Sequence, residues 1–318
     1  MTLLLAIDGG RDSWSAERWR ERFKLALPGR SIVVQGAEGY DKNSIRFAAV
    51  WKPVPGFLAT LPRLEVIFNL GAGVDAVLAD PTLPKVPLVR VINADLTHRM
   101  TEYVTLHVLL HHRRMLQLMR AQASRQWQPR TQWAAGALRV GIMGFGTLGQ
   151  DAADVLQRLG FQVAGFSRKP KSVTGFEMFS GDTQLDGFLA RSDILVVLIP
   201  LTAATRGILN RDLFGRLARD GVMGAPVLIN AGRGGLQVEA DILAALDDGT
   251  LGGASLDVFE TEPLSHASPL WTHPNVIVTP HNAADSDPEA IASDVARQIV
   301  AYEHGAGLGH VVDRALGY

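Results

Sequence analysis

Three short motifs in the second half of this chain place ionisable side chains beside glycine or proline just after apolar runs. Asn230-Ala231-Gly232-Arg233-Gly234-Gly235 puts a guanidinium on a glycine turn, where its planar fork can meet a carboxylate with two parallel bonds. Asp257-Val258-Phe259-Glu260-Thr261-Glu262-Pro263 carries three carboxylates in close succession. Thr279-Pro280-His281-Asn282 carries a histidine, the side chain best suited to moving a proton near neutral pH. Each motif alone has a plainer explanation: a solvated arginine, an acidic surface turn, a satisfied structural histidine. Together they supply the parts of a carbonyl reduction. A cation holds the substrate and polarises its carbonyl, and an acid protonates the new alkoxide. A carboxylate beside the histidine stabilises its imidazolium and keeps that acid loaded.

The hydride donor such a reaction needs has its own signal. Gly144-Phe145-Gly146-Thr147-Leu148-Gly149 reads GxGxxG, directly after the apolar run 139–143 and directly before a helical pattern. By itself the motif is also met as an ordinary glycine turn. Between a strand and a helix it builds a tight turn, brings backbone close to a pyrophosphate, and packs helix on strand, with the helix N-terminus facing the phosphates. The next run ends at Phe166-Ser167-Arg168-Lys169-Pro170-Lys171. An NAD site usually carries a carboxylate there for the ribose 2′-hydroxyl; its absence beside three cations favours a 2′-phosphate, hence NADP(H) preferred with NAD(H) possible. A solvated basic loop of no consequence is the alternative.

These motifs need elements to carry them. Strand-like apolar runs alternate with helix-like segments along the chain, the pattern of parallel α/β architecture. The runs are 2–8, 31–34, 47–51, 64–70 and 86–92, then 139–143, 162–167, 194–199, 226–230, 254–257 and 276–279. A long helix is expected over about 101–123, an irregular arm rich in Trp, Gln and Pro over 126–136, and a final helix from 288 to about 304. The 318 residues suffice for two domains. With 31 basic and 32 acidic residues the net charge of −1 argues against nucleic acid and anionic membrane as partners. The chain has no cysteine, so disulfides and thiolate chemistry are excluded and a reducing compartment fits. The opening MTLLLAIDGGRDSW has too short an apolar run for a secretory signal, and a cytoplasmic location is expected. No ligand spacing suggests a metal, and His111-His112-Arg113-Arg114 reads as a helix face.

The order GxGxxG, NxGRG, DVFxxEPL, TPH resembles the D-isomer-specific 2-hydroxyacid dehydrogenase family over nearly the whole chain. Ser167-Arg168, Trp127-Gln128-Pro129 and the closing 312–318 segment resemble the branch that reduces glyoxylate and hydroxypyruvate. The resemblance implies an α/β fold of two Rossmann-like, doubly wound parallel-sheet domains with the active site in the cleft between them. Residues 1–99 and 286–318 would form the substrate domain and 100–285 the dinucleotide-binding domain. It implies that Arg233 binds the substrate carboxylate and carbonyl, that His281 donates the proton, and that Glu262 is its partner. Ala72 and Gly73, in Asn69-Leu70-Gly71-Ala72-Gly73-Val74-Asp75, would hold the carboxylate through backbone N–H groups, with Trp51 as a further pocket candidate or a plain core aromatic. The cofactor would be lined by Pro200, Thr205, Ala231, Asp257 (beside the nicotinamide carboxamide) and Ala283, besides Gly144–Gly149, Ser167, Arg168 and Lys169. Two positions depart from the family pattern: Asn282 stands where an apolar residue is usual, and Gly235 extends the glycine pair. A homodimer is implied, its arm crossing to the partner. The expected activity is NADPH-dependent reduction of glyoxylate and hydroxypyruvate. Its alternatives are another D-2-hydroxyacid dehydrogenase of different 2-oxoacid preference, or a non-catalytic dinucleotide-sensing binding protein of the same fold.

Overall fold

The computed structural model describes residues 2–8 and 14–317, so Tyr318, the last residue of the closing segment, lies outside the described residues. The chain divides into two compact units, Met1–Leu96 with Ser286–Tyr318, and Thr97–Asp285.

In the first unit β1 (Thr2–Ile7), β2 (Ser31–Val34), β3 (Ile45–Trp51), β4 (Val66–Asn69) and β5 (Leu88–Arg90) form a parallel sheet of order β2-β1-β3-β4-β5. Strand order reverses between β1 and β3, and Trp51 ends β3 at that switch point, where α/β sheets bind ligands. One face is covered by α1 (Ala16–Ala26), whose Trp19 and Phe23 are fully buried against β-strand residues Leu3, Leu5 and Phe47. Each such ring contributes roughly 1.5–3 kcal/mol by leaving water. A short α2 (Asp75–Leu78) follows β4.

The second unit begins within α3 (Ala94–His112) and continues through α4 (Met115–Ala123). The single helix expected over 101–123 is therefore two. Arg114 breaks it with a left-handed backbone (φ 54°, ψ 35°), and its guanidinium lies 4.2 Å over the Trp133 ring. That stacking also corrects the picture of the arm. Trp127 is 98% exposed, but Trp133 folds back onto the core, and His112 Nε2 lies 2.8 Å from its carbonyl oxygen.

Seven parallel strands follow among the described residues: β6 (Arg139–Met143), β7 (Gln162–Ser167), β8 (Glu177–Ser180), β9 (Ile194–Val197), β10 (Val227–Asn230), β11 (Gly253–Leu256) and β12 (Val276–Val278). Their order is β12-β11-β10-β9-β6-β7-β8, with the switch point between β6 and β9. The four residues of β9, of β10 and of β11 are all buried, as expected of strands covered on both faces. The helices α5 (Thr147–Arg158), α6 (Gly181–Ala190), α7 (Arg211–Gly215) and α8 (Glu239–Asp247) alternate with them. Finally α9 (Pro288–Glu303) returns to the first unit, burying Ile291, Val295 and Ile299 there. No helix among the described residues is long and apolar enough to cross a membrane.

Candidate active site

The glycine loop leaves β6 at the switch point of the larger sheet. Gly144 adopts φ +108°, and a Cβ on it would lie 2.7 Å from the Leu198 carbonyl carbon, so only glycine fits. At Gly149 a Cβ would strike the Gly144 carbonyl oxygen at 2.3 Å, which is how closely α5 packs on the loop. Gly146 is the opposite case: it is exposed, nothing lies within 4 Å of an added Cβ, and no side chain caps the helix that starts beyond it. An uncapped helix N-terminus behind an open glycine suits a diphosphate. Phe145 contributes backbone rather than side chain, its ring being buried edge-on against Phe176 at 5.3 Å. Leu148 packs on the core, while Thr147 is exposed. At the end of β7 the Ser167 hydroxyl donates to the Lys169 carbonyl at 2.8 Å, and Arg168 and Lys169 are exposed. Beyond β9 the Thr205 hydroxyl donates to the Pro200 carbonyl at 2.8 Å and accepts from the Thr202 N–H at 2.8 Å, closing the 200–205 turn.

The three ionisable motifs meet at the carboxyl ends of β10, β11 and β12. Asn230, fully buried, donates from Nδ2 to Gln237 Oε1 at 2.8 Å and to the Arg233 carbonyl at 3.2 Å. Gln237 in turn donates to the Val258 carbonyl at 2.9 Å, so the arginine turn is tied to the strand carrying the carboxylates. Next to it, Gly234 sits so tightly on the second motif that a Cβ would lie 1.9 Å from the Phe259 carbonyl carbon. The Phe259 N–H donates to Glu262 Oε1 at 3.1 Å, and Glu262 Oε2 lies 2.8 Å from His281 Nδ1. One unbroken chain of contacts thus runs from the Arg233 turn to His281. Arg233 itself is half-buried, with Nη1 on the Gly232 carbonyl at 2.7 Å. The Glu262–Pro263 peptide is cis.

His281 holds φ +53°, a left-handed backbone that costs a non-glycine residue on the order of 1 kcal/mol or more. The buried Asp257 carboxylate imposes it. Asp257 accepts the Thr279 hydroxyl at 2.6 Å, the Asn282 N–H at 3.0 Å and the Ala283 N–H at 3.0 Å, while its carbonyl accepts the His281 N–H at 2.7 Å. Ala231 and Ala283 are both buried in the core beneath this turn.

In the first unit the Trp51 ring lies against the 71–73 loop: a Cβ on Gly71 would be 2.5 Å from its nearest ring atom. Buried Asn69 donates from Nδ2 to the Gly71 and Gly73 carbonyls at 2.7 and 2.9 Å, fixing the loop from within. The Ala72 and Gly73 N–H groups donate to no protein acceptor among the described residues.

Sequence reasoning missed Gln237 and Tyr103, whose supporting contacts join distant segments. The Tyr103 hydroxyl lies 2.9 Å from Thr279 Oγ1, and burial pushes its ionisation well above the usual tyrosine range. Among the described residues no group of three or more His, Cys, Asp or Glu could hold a metal ion.

Residues 105–283 match the profile described as D-isomer specific 2-hydroxyacid dehydrogenase, NAD binding domain. Glyoxylate/hydroxypyruvate reductase A of Serratia proteamaculans is 39% identical over 311 residues, covering 96% of this chain and 97% of that one. The solved NADPH-dependent glyoxylate/hydroxypyruvate reductase of Sinorhizobium meliloti, in complex with NADP and sulfate, matches with a TM-score of 0.93 at 46% identity, covering 100% of this chain and 99% of that chain. A probable 2-hydroxyacid dehydrogenase from Rhizobium etli, in complex with NADP, HEPES and L(+)-tartaric acid, matches with a TM-score of 0.93 at 42% identity and the same coverage. The chain belongs to the D-isomer specific 2-hydroxyacid dehydrogenase family and is an NAD(P)-dependent oxidoreductase.

Proposed function

We propose that this chain reduces small 2-oxoacids with NADPH, taking glyoxylate to glycolate and hydroxypyruvate to D-glycerate. The observation that carries the reading is the 2.8 Å pairing of His281 Nδ1 with Glu262 Oε2. With Nδ1–H held on the carboxylate, Nε2 is the nitrogen left to give its proton to the developing alkoxide. Arg233 holds the shared carboxylate and polarises the carbonyl, while residues 1–99 and 286–318 form the substrate domain, whose own substrate-binding candidates are the Ala72 and Gly73 N–H groups and Trp51. Residues 100–285 form the dinucleotide domain. NADP(H), when bound, supplies the hydride. The open Gly146 and the uncapped start of α5 fit its diphosphate, Ser167, Arg168 and Lys169 its 2′-phosphate, and Pro200, Thr205, Ala231, Asp257 and Ala283 line it. Asp257 has a second task here, since its carboxylate anchors the turn that presents His281.

The protein works as a cytoplasmic homodimer in this reading. The exposed Trp127 of the arm supports the pairing, because aromatic residues are enriched at protein–protein interfaces. The test is NADPH oxidation followed by absorbance over a panel of small 2-oxoacids. Turnover of glyoxylate and hydroxypyruvate is expected. Cofactor binding without turnover of any 2-oxoacid would mark a dinucleotide sensor and refute the proposal.

A further inference from the structure

The basic stretch after β7 divides into residues with different surroundings. Arg168, Lys169 and Lys171 are all exposed, but Lys171 turns back onto the glycine loop, its Nζ donating to the Phe145 carbonyl oxygen at 2.9 Å. Gln150, in α5, donates to the same oxygen at 3.3 Å. From the other side, the Gly144 and Phe145 N–H groups donate to the Phe166 carbonyl at 3.1 and 3.2 Å. The loop is clamped at its midpoint.

The clamped carbonyl matters because of what is bonded to it. A trans peptide is planar, so the Phe145 carbonyl and the Gly146 N–H point in opposite directions. Holding the carbonyl on Lys171 therefore aims the Gly146 N–H, which donates to no protein acceptor among the described residues. That N–H stands at the open, uncapped start of α5.

We propose that Lys171 is a positioning residue for the diphosphate site, acting through the Phe145–Gly146 peptide, and not a ligand of the 2′-phosphate. The proposal rests on the reading of the glycine loop as the dinucleotide site. Its consequence is a division of labour in which Arg168 distinguishes NADPH from NADH and Lys171 serves both equally.

Dissociation constants for NADPH and NADH, measured by nucleotide fluorescence on the full chain, test it. Lys171→Met is expected to weaken both nucleotides about three- to tenfold, the scale of one lost hydrogen bond, with their ratio unchanged within about twofold. The loss should persist at about 0.5 M salt, where a merely long-range charge effect is screened. Should Lys171→Met fail to fold, Gln150→Leu removes the other donor to the same oxygen and should also weaken both nucleotides in parallel. Loss confined to NADPH would make Lys171 a 2′-phosphate ligand and overturn the proposal. So would a loss that vanishes at high salt, or no loss. An unmutated protein that binds neither nucleotide would refute the loop reading itself, and the proposal with it.

Discussion

The Thr279 hydroxyl donates to Asp257 Oδ1 at 2.6 Å, and the Tyr103 hydroxyl, 2.9 Å from the same Thr279 oxygen, joins α3 to the turn that carries His281. A hydroxyl has one hydrogen, and that of Thr279 is used on Asp257, so the Tyr103 hydroxyl must be the donor in its 2.9 Å contact with Thr279. The line Tyr103 to Thr279 to Asp257 therefore has one polarity. Thr279→Val would strip Asp257 of a donor and Tyr103 of its acceptor. It should cost about 1–3 kcal/mol of stability and lower kcat through a looser His281 turn. Tyr103→Phe, which leaves Thr279 on Asp257, should do less of both. Urea denaturation and steady-state kinetics check this; a Thr279→Val protein matching the unmutated one in both would dismiss the relay.

A second expectation concerns the join between the arginine turn and the acidic motif. A Cβ at position 234 would sit 1.9 Å from backbone atoms of Phe259, which cannot swing aside as a side chain can. Gly234→Ala should therefore displace the segment that holds Glu262, cutting kcat/KM by at least about tenfold, equivalent to about 1.4 kcal/mol. Gly235→Ala meets the Leu201 side chain at 2.8 Å, which can rotate, and should be milder. Equal effects of the two would contradict the geometry.

The roles of the paired side chains separate by the size of their effects. His281→Ala should lower kcat roughly 10²–10⁴-fold, the usual worth of a general acid, while NADPH still binds. Glu262 Oε2 lies 2.8 Å from His281 Nδ1 and orients the ring. Glu262→Gln should therefore lower kcat less than His281→Ala does. An unchanged kcat in Glu262→Gln would remove Glu262 from the role of partner.

Much of this is legible in the sequence. The apolar runs 139–143 and 162–167 coincide with β6 and β7 at both ends, because strands buried on two faces read as continuous apolar sequence. The glycines and the Arg233, Glu262 and His281 motifs were visible because their chemistry demands particular residue types. Strand β8 was not: Glu177-Met178-Phe179-Ser180 is a half-exposed edge strand with polar ends. Nor was the break at Arg114, which depends on a ring 19 residues further on, or the support from Tyr103 and Gln237, which reaches across the unit to Thr279 and Val258. Contacts between distant segments leave no local pattern.

Two buried histidines make stability sensitive to acid. Desolvation lowers His107 to about 4; desolvation, then the nearby His107, lowers His111 to about 3. Unfolded, each takes a proton near pH 6.5, so the unfolded state binds more protons below that pH and is favoured there. Stability should be intact above about pH 6.5 and fall as pH drops toward 4 and then 3. His107 stacks on Tyr103 at 4.0 Å, and its buried Nδ1 has no partner among the described residues, so His107→Phe keeps the stack and removes the titration. Its melting temperature should fall less steeply between pH 7 and 4; an unchanged slope would acquit His107.

The central claim of the proposed function is that the guanidinium of Arg233 binds a substrate carboxylate. A substrate lacking that anion forgoes the charge-assisted hydrogen bonds, worth about 1.5–3 kcal/mol each. The direct measurement is kcat/KM for glyoxylate against acetaldehyde with NADPH. Glyoxylate should be preferred by at least about 10²-fold, and Arg233→Ala should abolish most of that preference. Comparable values for the two aldehydes in the unmutated protein would contradict the carboxylate clamp and the 2-oxoacid reductase built on it.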